Sequence, residues 1–112
     1  MRRINRARAS ARRLAHHGTR KRTLWFTEQP CACTWEGRER HVACTGGPSD
    51  PSHTHHFHGD ASTIIPQSRG CHTYIGSKTW AVWEAETGID RDALAAHYAT
   101  IGHDAPHPGE TP

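Results

Sequence analysis

No stretch of this 112-residue chain approaches the run of about 18 apolar residues that marks a membrane-spanning helix. Nor does a short apolar block follow its basic start, as in a secretory leader. These absences predict neither export nor membrane insertion, and hence a cytoplasmic protein. Apolar residues are scarce at 34% of the chain, where ordinary globular proteins reach roughly 45–50% with glycine counted in. Length allows one domain at most. An ordered core of about 70–80 residues is marginal unless a metal or disulfides staple it. Acid is missing from residues 1–22, which carry nine Lys/Arg; residues 23–112 hold five Lys/Arg and all eleven Asp/Glu. There is no internal repeat.

What is present is ligand chemistry: four cysteines and eleven histidines. With no sign of export, reduced metal-bound thiolates rank ahead of disulfides. Cys31 and Cys33 stand one residue apart, not the two of a zinc knuckle, and Cys44 and Cys71 follow. Two of the first three on neighbouring turns, completed by Cys71 and with His72 as a further candidate, make a structural Zn²⁺ set. The alternative is one disulfide with two buried thiols. Between Asp50 and His72 lie five histidines, His53, His55, His56, His58 and His72. Imidazole binds transition metals and moves protons near neutral pH, so this stretch reads as a metal-dependent site. The plainer alternative is a solvated loop.

Residues 1–22 form a basic arm, helical or disordered, in which Ile4, Ala7, Ala11, Leu14 and Ala15 recur at near-helical spacing and Gly18 is a stop. Its cations, Arg2, Arg3, Arg6, Arg8, Arg12, Arg13, Arg20, Lys21 and Arg22, suit phosphate contacts that release counterions. A solvated tail is the competing reading; an organelle-targeting peptide is disfavoured because serine is scarce. Leu24-Trp25-Phe26 reads as a short buried strand or an anchor on the core, Trp35–Arg40 as a hairpin turn, and Gly47–Pro51 as turn chemistry. Thr63-Ile64-Ile65 reads as a strand that Pro66 closes. Helices are expected over 77–88, capped by Ser77 and stopped by Gly88, and over 90–102, capped by Asp90 with a Leu94, His97, Tyr98, Ile101 stripe. The resulting division is arm 1–22, metal-binding domain 23–102 and a Pro-rich disordered tail 103–112.

Taken in order, several segments resemble the HNH (ββα-metal) endonucleases, above all small phage and prophage versions similar to RecA-dependent recombination-enhancement nucleases. C-A-C and A-C-T-G resemble the cysteine-bearing lead-in, and D-P-S-H the segment with the first histidine. D-A-S-T-I-I-P-Q-S-R-G-C-H resembles D-x-x-N-V-V-P-L-C-R-x-H-H, and G-S-K-T-W-A-V-W-E-A-E-T-G-I-D the trailing helix. The resemblance spans roughly residues 29–98 and implies a small α+β, zinc-stapled ββα core with two C-terminal helices and a basic N-terminal arm. It further implies a DNA endonuclease using Mg²⁺ or Mn²⁺, with Zn²⁺ structural, in the host cytoplasm if phage-encoded. Under it His53 is the general base, with His56 its rival; Asp50, His55 and His72 are metal ligands. Thr63 stands where the family has asparagine. The histidine expected shortly after Cys-His is missing, so His58 or Asp60 would substitute. Two other functions compete: a zinc-stapled nucleic-acid-binding module without catalysis, and metal buffering or sensing by the His-rich loop.

Overall fold

The computed structural model of the chain describes residues 11, 12, 14, 15, 18–55 and 60–102. Helical backbone at 11, 12, 14 and 15 ends where the Gly18 N–H reaches the Leu14 carbonyl (2.8 Å), with Gly18 left-handed at φ 80°. The stop predicted at Gly18 is therefore present. Helix α1 (Arg20–Glu28) begins two residues later, because the Thr19 hydroxyl accepts the Arg22 N–H (3.1 Å). Its end lies before Pro30, which disfavours helical backbone in the residue ahead of it. Leu24-Trp25-Phe26 is thus helical, not a strand. Phe26 is the anchor on the core, and Leu24 remains half exposed.

Arg22, four residues before Phe26, is buried on the same face. Its guanidinium lies over the Trp25 and Phe26 rings (4.4 and 4.5 Å) and donates to the carbonyls of Tyr98 and Ile101. Tyr98 ends the last helix and Ile101 lies three residues beyond it, so the end of the supposed arm is built into the body.

A 3₁₀ segment, Ala32–Gly37, follows. Glu36 (φ 56°) and Gly37 (φ 78°) are both left-handed, and the Arg38 N–H reaches the Trp35 carbonyl (3.3 Å). The tight turn expected here exists, but no strands flank it, so it is not a hairpin.

Strands β1 (Ser49–His53) and β2 (Ile64–Ser68) pair antiparallel, with Pro51 opposite Pro66. Both prolines contradict the sequence reading: Asp50-Pro51 lies within a strand, and Pro66 does not close one. The register explains why. The Thr54 N–H bonds to the Thr63 carbonyl (2.8 Å), which extends the same register by one pair. Alternation of bonded and non-bonded pairs then puts Pro51 and Pro66 in a non-bonded pair, where neither missing N–H is needed.

Three helices follow: α2 (Arg69–Ser77), α3 (Trp80–Thr87) and α4 (Arg91–Tyr98). Ser77 ends α2 and does not cap α3; that cap is Thr79, whose hydroxyl accepts the Val82 N–H (3.3 Å). Gly88 terminates α3 in the left-handed region, and the Asp90 carboxylate caps α4, both as expected. Helix α4 is shorter than 90–102. Leu94 and Tyr98 face the core, while His97 and Ile101 are exposed. Phe26, Ile64, Ile65, Trp83, Leu94 and Tyr98 form the centre. The described residues thus make a small α+β unit: one two-stranded sheet and four α-helices. No helix among them is long and apolar enough to cross a membrane.

Candidate metal centre and its neighbourhood

All four cysteines converge. The Sγ atoms of Cys31, Cys33, Cys44 and Cys71 lie within 4.8 Å of one another, and none is in a disulfide. A tetrahedral ion with sulfurs about 2.3 Å away needs S–S separations of about 3.8 Å. The donor set fits such an ion. Cys31 and Cys33 come from the 3₁₀ segment and its cap, Cys44 from the loop before β1, and Cys71 from the first turn of α2. Gly70 makes the last approach possible. A Cβ there would fall on the Ala43 carbonyl, and its own N–H bonds to Thr45 Oγ1 (3.0 Å). The Cys44 loop is thereby laid directly on the start of α2.

Donors surround these sulfurs. The Ser68 hydroxyl, fully buried, donates to Cys44 Sγ (3.2 Å) while accepting the Cys71 N–H (3.3 Å). The Cys31 thiol is held well below its ordinary value, chiefly because Cys33 and then Cys71 turn S–H groups toward it. The backbone N–H groups of Ser68 and Cys33 add to this against the opposing effect of burial. Cys33 is correspondingly raised, first by its bond to Cys31, and Cys71 is raised to about 11 for the same first reason. The Trp83 indole N–H is buried without an oxygen or nitrogen acceptor. It lies toward Cys71 and pulls that thiol down.

The histidines divide. His72, in α2, turns from the sulfurs to Asp50 of β1, with Nδ1 3.1 Å from Oδ2; Arg69 Nε lies 3.3 Å from the same oxygen. Sulfur from Cys44 takes the place offered to His72 in the four-ligand set. His55 Nε2 instead meets Asp92 Oδ1 of α4 at 2.6 Å, a partner separate from the Asp50–His72 pair. His53 is half-buried at the end of β1, opposite Ile64. The Thr63 hydroxyl closes the loop on Asp60, accepting its N–H (2.9 Å) and donating to its carbonyl (3.0 Å). Among the described residues, the four cysteines are the one group of three or more His, Cys, Asp or Glu that comes within metal-binding reach. His56 and His58 lie outside the described residues.

Of the arm's cations, Arg12, Arg20 and Lys21 are exposed. Arg22 is a correction: its guanidinium is occupied by aromatic rings and carbonyls and is withdrawn from any phosphate. Arg2, Arg3, Arg6, Arg8 and Arg13 are outside the described residues. Sequence reasoning missed Ser68, Gly70 and Trp83. The signal for the first two was Ser-Arg-Gly directly ahead of Cys71, a cap and a close approach; for Trp83 there was none. No protein-family model, curated protein or solved structure matches the chain.

Proposed function

We propose that this is a zinc-stapled nuclease domain of the HNH-like ββα type, hydrolysing phosphodiester bonds of DNA. The observation that carries the reading is the direct passage of the β1–β2 hairpin into α2, with Asp50 of β1 meeting His72 of α2 beside Arg69. The four thiolates would hold Zn²⁺, which supplies folding energy and not chemistry. Asp50 and His72 would hold Mg²⁺ or Mn²⁺, which supplies charge neutralisation at the phosphate. His53, at the end of the hairpin's first strand, would take the proton from the attacking water. Arg69, Arg12, Arg20 and Lys21 would neutralise neighbouring phosphates. Plasmid nicking by the full chain with Mg²⁺ or Mn²⁺ tests this. Activity is expected in the wild type and lost in His53→Ala; full activity in both His53→Ala and His56→Ala would overturn the mechanism.

A second reading has its own support. Thr63 lacks the amide of the family pattern and its hydroxyl is taken up by Asp60, while His55 is engaged by Asp92. A zinc-stapled module that binds DNA without cutting it accounts for both. It is favoured if DNA binding is salt-sensitive and falls on deleting residues 2–18, while no metal elicits nicking.

A further inference from the structure

Ser68 stands where three parts of the fold meet. It ends β2, caps α2 and pairs across the sheet with Ser49, whose hydroxyl donates to the Gln29 carbonyl (2.7 Å) two residues before Cys31. Its side chain is fully buried, and both of its hydrogen-bonding roles point at the sulfur set: donation to Cys44 Sγ and acceptance from the Cys71 N–H. Capping α2 uses only a lone pair of the Ser68 oxygen, and the hydroxyl proton goes to sulfur. We infer that Ser68 is a positioning residue of the metal centre, its hydroxyl holding Cys44 in the set and tying that set to the strand–helix junction.

The chemistry gives the direction of the effect. Four thiolates around a divalent ion leave an excess of two negative charges, buried here, and each donor to sulfur spreads that charge. The bond also lowers the energy of the sulfur lone pair. Removing it brings the thiolate-to-metal charge-transfer transition to lower energy, an effect that loss of a helix cap alone does not produce. The same residue joins β1's partner strand to the helix that carries His72, so loading of the centre and order in residues 69–77 belong to one equilibrium.

The inference rests on reading the four thiols as a metal site, and one experiment separates the two. The full chain is loaded with Co²⁺, its charge-transfer band recorded, and its affinity measured by competition with a chelator. Ser68→Gly deletes the hydroxyl at little cost to the cap, since glycine is tolerated at that position. It is expected to move the band to lower energy and to weaken Co²⁺ binding about ten- to hundredfold. Ser68→Thr, which keeps the hydroxyl, is expected to restore both. Weaker binding with an unmoved band would reduce Ser68 to a cap and overturn the inference, as would unchanged band and affinity. A wild-type chain that gives no tetrahedral thiolate spectrum with Co²⁺ would overturn the metal reading itself. Should Ser68→Gly fail to fold, the wild type loaded with an NMR-active cadmium isotope decides. Scalar coupling between cadmium and the Ser68 hydroxyl proton is expected, and its absence would count against the inference.

Discussion

Single residues here act mostly through what they let approach. Gly70 is the clearest case, because any side chain would collide with the Ala43 carbonyl. Gly70→Ala is expected to destabilise the fold by about 1–3 kcal/mol, as overpacking does. It should also loosen Cys44, read as faster metal loss to a chelator; wild-type behaviour in both measurements would contradict the placement. Arg22 is the reverse, a long cation consumed by the interior. Arg22→Met keeps the stem but removes both guanidinium bonds, leaving the Tyr98 carbonyl only the Ile101 N–H, with an expected loss of roughly 2–4 kcal/mol in denaturant unfolding. A surface arginine would cost close to nothing. The sequence placed Arg22 in a phosphate-binding row because charge runs are usually solvated; only the distant end of α4 reveals its partner.

At the scale of elements, local rules identified what local chemistry decides. Asp90 and Gly88 mark helix ends because a carboxylate cap and a left-handed glycine are answered within a few residues. The misreadings have longer reach. Helix α1 hid because its buried face consists of Arg22 and Phe26, an arginine where an apolar residue is sought. Pro66 looked like a terminator because the alternation that excuses it belongs to a partner strand 15 residues away. The junction at Thr79, whose φ of 140° is strained for a β-branched residue, has no signature ahead of the more conventional Ser77. Packing of α4 also sets an alkaline limit. Burial, and secondarily the Cys31 charge, raises Tyr98 to about 12 from an ordinary 10. The protonated phenol is thus favoured in the fold. Its stabilisation is fully present below pH 10 and is lost as pH rises toward 12. Melting temperature should fall over that window and fall less in Tyr98→Phe; identical alkaline profiles would dismiss Tyr98 as the cause.

For the whole molecule, four cysteines from three segments converge at one point, where a bound ion would staple a chain that has little apolar sequence. The sequence announced the ligand types but could not say which four meet, since spacing alone left Cys44 and His72 as rivals. The structure gives the place to Cys44 and commits His72 to Asp50. The Cys33 and Cys71 thiols are raised above their ordinary value, first by their bonds to Cys31, and must each lose a proton to bind a cation. Metal affinity should therefore climb by at least roughly a hundredfold per pH unit through neutrality, two protons being displaced. A pH-independent affinity would contradict thiolate ligation.

The most direct test is metal analysis of the purified full chain, paired with circular dichroism before and after a strong chelator. One zinc per chain is expected, with helical signal lost on its removal and recovered on its return. A metal-free chain with an unchanged spectrum and a cooperative melt would contradict the account.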